Sequence, residues 1–109
     1  MKEDRIYLAH VRDAIERIDV YTSDGHDSFL TSPMIQDAVI RNLEVIGEAV
    51  KGLSEDLRLA NPDIPWAQIA GMRDVLIHHY FGVKLEIVWQ VIVDHLPQLR
   101  GRVDQLLGT

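Results

Sequence analysis

The chain has 109 residues, 47% of them hydrophobic and 26% charged, and 11 Lys plus Arg against 17 Asp plus Glu leave a net charge of −6. That length fits one domain over residues 1–109, able to bury roughly 60–70% of the surface its unfolded form exposes. The absence of cysteine excludes a disulfide scaffold, a thiolate metal site and a cysteine nucleophile.

No apolar run nears the roughly 20 residues of a membrane span. The charged start Met1-Lys2-Glu3-Asp4-Arg5 lacks the apolar core of a signal peptide, so a cytoplasmic chain with no membrane contact is expected. An acidic chain repels phosphate backbones at long range, so any contact with RNA has to come through a local basic site.

Apolar spacing predicts helix nearly throughout. From Asp4 to Tyr21, the residues Tyr7, Val11, Ile15 and Ile18 recur every three or four positions. Ser23-Asp24-Gly25-His26-Asp27-Ser28 is rich in turn formers and reads as a connection. Ser32 is placed to cap a helix with Pro33 at its first position, and Ile35, Val39, Leu43, Ile46, Val50 and Leu53 form its stripe. Gly52 and Ser54 mark its end, and a short helical piece is expected over Glu55–Ala60. Asn61-Pro62-Asp63-Ile64-Pro65 breaks the pattern, and Pro65 opens a helix carrying Trp66, Ile69, Met72 and Leu76, with Gly82 as its expected terminator. A last helix starts near Leu85 with Leu85, Val88, Ile92, Leu96, Leu99, Val103 and Leu106 on one face, and Pro97 is expected to kink it or split it in two. The expected architecture is all-α, an up-and-down bundle of four main helices plus short helical pieces. Ile87, Val91, Val93 and Trp89 lie off the last helix's stripe; a stripe so wide fits either a second protomer or a central helix.

Polar chemistry converges on Gly71-Met72-Arg73-Asp74-Val75-Leu76-Ile77-His78-His79-Tyr80. On an ideal helix Asp74 and His78 are neighbours one turn apart, whereas Arg73 and His78 diverge by about 140°. Asp74 with His78 also fits a surface ion pair, and Arg73 a pair with Glu44 or Glu48. A metal site on Asp74, His78 and His79 is disfavoured, because adjacent histidines point to different faces and no third ligand stands at a supporting spacing. His10, His26 and His95 stand alone and read as ordinary surface or boundary residues. Glu44 and Glu48, four apart with Gly47 between them, read as support for Arg73, the glycine allowing close helix approach.

Arg73, four residues, His78, one residue, Tyr80 resembles the signature of HepT-like toxins, a branch of the HEPN ribonuclease superfamily, with Asp74 where Asn is frequent. The likeness extends to Asn42-Leu43-Glu44-Val45-Ile46-Gly47-Glu48-Ala49, to Asn61-Pro62-Asp63-Ile64-Pro65-Trp66 and Gly71-Met72-Arg73, and to Tyr80-Phe81-Gly82-Val83 with Leu85-Glu86-Ile87-Val88-Trp89. That covers most of the chain from about residue 35 to 100.

The resemblance implies a HEPN-like helical domain that forms a homodimer, or a higher oligomer, with Arg73, Asp74 and His78 lining a cleft at the dimer interface. It implies a metal-independent RNA endonuclease that acts as a toxin and needs no cofactor. The implied antitoxin is an MntA-like nucleotidyltransferase that transfers AMP from ATP to Tyr80. A non-catalytic HEPN subunit presenting a nucleotide or substrate to a nucleotidyltransferase is the alternative, and a purely structural helical dimer a third. Asp74 in place of Asn changes what that position offers, since an ionised carboxylate donates no hydrogen bond.

Overall fold

A computed structural model describes residues 2–78 and 84–108, with Lys2, Ile77 and His78 described by their backbone alone. Helices α1 (Lys2–Tyr21), α2 (His26–Thr31), α3 (Pro33–Gly52), α4 (Glu55–Ala60) and α5 (Trp66–His78) are followed by α6 (Leu85–Gln90), a π-helical turn at Val91–His95, and α7 (Leu96–Leu107). Among the described residues there is no strand, and no helix is long and apolar enough to cross a membrane. Helix α3 lies between α1 and α5, and α7 returns against α1. The four main segments are α1, α3, α5 and the α6–α7 run, as the periodicity predicts.

The stripes become the core. Val11, Ile15 and Ile18 of α1, Val39, Leu43, Ile46 and Val50 of α3, and Leu96, Leu99 and Val103 of α7 are buried. Removing such side chains from water supplies roughly 1.5–3 kcal/mol each. The predicted helix starts hold at the atomic level. Ser32 Oγ accepts from the Ile35 backbone N–H, with Pro33 behind it, and Ser54 Oγ accepts from that of Leu57 at the start of α4.

One connection differs from expectation, and the expected break at Pro97 takes a form that spacing alone does not give. The turn-rich segment is a turn only as far as Gly25, whose φ of 96° suits a residue without Cβ; helix α2 begins at His26. Burial of Phe29 holds this short helix to the core, and the Gln36 side-chain amide donates to the Phe29 and Leu30 carbonyls at its end. Pro97 does split the last helix, but by a π turn rather than a gap. A proline has no N–H to donate, and the wider turn over Val91–His95 carries the chain past that position with the core stripe still facing inwards. Gly82, the expected terminator of α5, lies outside the described residues.

The ends of the short elements are tied by charge. Arg102 of α7 forks onto Asp63 at 2.8 and 2.7 Å and also donates to Asn61 Oδ1, clamping the breaker segment that aims α5. Buried Asp4 of α1 accepts from the backbone N–H and the hydroxyl of Ser54, at 2.8 and 2.7 Å. Burial acts to raise the Asp4 carboxyl, but the two Ser54 hydrogen bonds outweigh it and hold the group below its ordinary 3.8. A lowered folded-state value means stability that is complete above the ordinary value and is lost as pH falls through the folded one. Asp4→Ala is therefore expected to cost about 1.5–3 kcal/mol at neutral pH. In urea melts its deficit against wild type shrinks as the pH drops below about 4; a deficit independent of pH would show that the carboxylate charge is not what holds Ser54.

Candidate functional site

Arg73 is brought to α3 at Gly47, where that helix carries no side chain. A Cβ built on Gly47 would lie 2.8 Å from the Arg73 Cβ, 3.2 Å from its backbone nitrogen and 3.2 Å from the Ile69 carbonyl. The two backbones touch there because position 47 is glycine. One residue along α3, Glu48 Oε2 receives Arg73 Nε at 2.6 Å. The guanidinium also reaches Asp74 Oδ1 through Nη1 at 3.3 Å, and Asp74 receives Lys51 Nζ at 3.4 Å. Arg73 is thus two-thirds covered and held from two sides, an arrangement that fixes where its donors can meet an anion.

The two carboxylates expected to support Arg73 separate. Glu48 makes the contact; Glu44, one turn earlier, pairs instead with exposed Arg41 at 3.7 Å. Asp74 is paired with Lys51 and Arg73, while the expected pairing with His78 falls on a side chain outside the described residues. His79 and Tyr80 also lie outside them; of this pair and His78, only the backbone of His78, closing α5, is described.

Three residues at Arg73 carry no motif signal. A crevice of about 210 Å³ opens between α1, α3 and α5, and Tyr7, His10 and Arg41 line it together with Glu44, Glu48 and Arg73. Tyr7 and His10 meet edge to face, ring centroids 6.3 Å apart, and the Tyr7 ring lies over Gly52, where a Cβ would have no room. Read along α1, Tyr7 is a stripe residue and His10 a lone surface histidine. Only the packing of α1 on α3 puts both beside Arg73. His26 is elsewhere, on Glu86 and the Trp89 ring, and His95 sits at the edge of an apolar cavity of about 290 Å³ beside the π turn.

The outer side of α5 and α6 is apolar. Val75, Ile87 and Val93 are each more than half exposed, and a groove of about 280 Å³ lined by Met72, Val75, Ile87 and Val91 runs between them. Trp89 is accounted for within the chain, packed on Phe29 and His26. Ile87 and Val93 are left exposed.

Comparison with known proteins gives this arrangement a family. Residues 11–106 match the HepT-like family, described as ribonuclease HepT-like. A protein of Methanocaldococcus jannaschii, named "Gamma-glutamylcyclotransferase and putative RNase", is 44% identical over 107 residues, 97% of this chain but 48% of its own length. The chain thus spans about half of that relative. It spans nearly all of two others. A "Putative RNase" of Caldanaerobacter subterraneus is 41% identical over 98% of this chain and 96% of its own. A "Probable ribonuclease HepT" of Thermococcus cleftensis is 42% identical over 92% of each. No solved structure matches. With the match spanning nearly the whole helical bundle and the Arg73 junction at its centre, the chain belongs to the HepT-like ribonuclease family.

Proposed function

We propose that the protein is a metal-independent RNA endonuclease and the toxin of a toxin–antitoxin pair. The observation that carries the reading is Arg73, seated by Glu48 over Gly47 on the helix that ends at His78. In this reading the RNA 2′-OH attacks the adjacent phosphorus, and the protein supplies proton transfer and charge stabilisation. An imidazole, with an ordinary pKa near 6.5, takes the 2′-OH proton or delivers one to the leaving 5′ oxygen, and His78 has that role. Arg73 stabilises the phosphorane as its charge grows. Asp74, held by Lys51, steadies the guanidinium and sits one turn before His78.

In-line cleavage gains from a base and an acid on opposite sides of phosphorus, and one chain brings one such histidine. A two-fold homodimer supplies the second. The half-exposed Val75 and Ile87 beside this turn are the apolar surface such a pairing would cover. It would also place two Arg73 in one cleft, the local basic site that a −6 chain requires.

Tyr80 is the regulatory residue in this reading. Its phenolic oxygen attacks the α-phosphorus of ATP on an MntA-like nucleotidyltransferase, a P–O bond forms, pyrophosphate leaves and the phenol proton passes to a base. The added phosphate and adenosine then exclude RNA by bulk and charge. Co-expression with the partner enzyme is expected to raise the intact mass by one or more AMP units, and Tyr80→Phe to abolish the gain. No gain with a partner active on another substrate would refute modification and shift the reading to a binding subunit.

A further inference from the structure

We propose that the crevice beside Arg73 is a guanine-selective base site, formed by Arg41 and Glu44 of α3 and walled by Tyr7 and His10 of α1. The inference rests on the reading of the protein as a ribonuclease, in which Arg73 holds a phosphate.

Glu44 carries the argument. Its side chain is only 18% exposed, yet among the described residues its polar partner is Arg41, 3.7 Å away and itself 74% exposed. A carboxylate so loosely paired, on a side chain mostly packed against the protein, has strong hydrogen-bonding capacity left over for a ligand. The crevice opens on this carboxylate. At about 210 Å³ it exceeds the roughly 150 Å³ that takes up one benzene ring, a scale that suits one nucleobase.

The polarity of the pair selects among bases. Guanine alone presents, side by side on its Watson–Crick edge, one acceptor and two donors: O6, N1–H and the 2-amino group. Arg41 donates and the two Glu44 oxygens accept, so the pair matches that edge in order. Adenine and cytosine turn a ring-nitrogen acceptor towards the carboxylate, and uracil flanks its one donor with two carbonyls. Each of these sets acceptor against acceptor. The aromatic walls at Tyr7 and His10 suit an unstacked base, the form in which single-stranded RNA is read. Arg73 lines the same crevice, so a base seated there stands next to the phosphate that Arg73 would bind.

The test is binding of the full-length protein to fluorescent pentaribonucleotides, UUGUU against UUIUU and UUAUU, by anisotropy at fixed salt, with cleavage of the same RNAs followed in parallel. Inosine keeps O6 and N1–H and lacks only the 2-amino group. Guanosine is expected to bind roughly tenfold to a hundredfold more tightly than inosine or adenosine. Glu44→Gln should bring the guanosine affinity down to that of inosine. Arg41→Ala, at a position too exposed to affect folding, should weaken guanosine and inosine together. Equal affinity of wild type for guanosine and inosine, or no binding to any of the three, overturns the proposal. Cleavage without guanosine preference overturns it and leaves the ribonuclease reading standing. Guanosine preference without cleavage supports the base site and removes the ribonuclease reading.

Discussion

His78→Ala is expected to lower RNA cleavage by about 10²–10⁴-fold, the usual contribution of a positioned acid or base. Arg73→Ala should lower it by about 10²–10³-fold, because the charge gathering on phosphorus loses its donor. The two losses should not add fully, since both residues serve one transition state. The Arg73 variant should melt as wild type does within a few degrees. Alanine keeps the Cβ that packs on Gly47, and the Glu48 side chain left behind is 63% exposed, so water takes over its solvation. Wild-type cleavage should persist in excess chelator. Initial rates on a fluorogenic single-stranded RNA decide all three. Full activity of folded His78→Ala removes the proposed mechanism, and loss of wild-type activity in chelator restores a metal-assisted one.

The second large effect belongs to a residue with no chemistry of its own. Gly47→Ala inserts a methyl group where 2.8 Å separates its position from the Arg73 Cβ and 3.2 Å from two backbone atoms of α5. A flexible side chain would swing aside, but a helix backbone cannot, so α5 has to move off α3. Overpacking of this kind costs about 1–3 kcal/mol. In a chain of this size each kcal/mol lowers the melting temperature by about 4–8 °C. The displacement also lifts Arg73 from Glu48, and misplacement by about 1 Å costs a reaction on the order of a hundredfold. Scanning calorimetry and the same RNA assay should therefore both register the change. An unchanged melting temperature with intact cleavage would mean that α3 and α5 do not touch at Gly47.

The two effects separate what holds the site from what acts in it. Asp4, Arg102 and Gly47 fix where the helices lie. Substitution of Arg73 is expected to change function with little change of fold. The expected outcomes at Gly47 and at Arg73 differ for that reason, although their atoms are in contact.

Much of this was legible in the residues alone, because helices announce themselves through spacing that needs no partner. The stripes of α1 and α3, Ser32 followed by Pro33 and the breaker at Asn61–Pro65 are local signals, and the fold repeats them. Where the reading differed, the competing force was not local. Ser23–Ser28 is rich in turn formers, yet burial of Phe29 draws the chain from His26 onward into a helix. A proline forbids one hydrogen bond, but whether a helix answers with a bend, a gap or a π turn depends on keeping Val88, Ile92 and Leu96 on the core.

The site divides in the same way. The sequence by itself determined the family, the all-α class and the helix on which Arg73 and His78 stand, since these follow from residue type and interval along one chain. It offered Glu44 and Glu48 as equals, four apart on one face, and nothing along α3 could choose between them. Tertiary structure chose: the crossing at Gly47 puts Glu48 on Arg73 and leaves Glu44 facing a crevice. It also set Tyr7 and His10 beside residues more than thirty positions away, and paired Asp74 with Lys51. An interval along a helix fixes the angle between its own residues, whereas the partner across a helix pair is fixed by where two backbones come closest, which only the packed core decides.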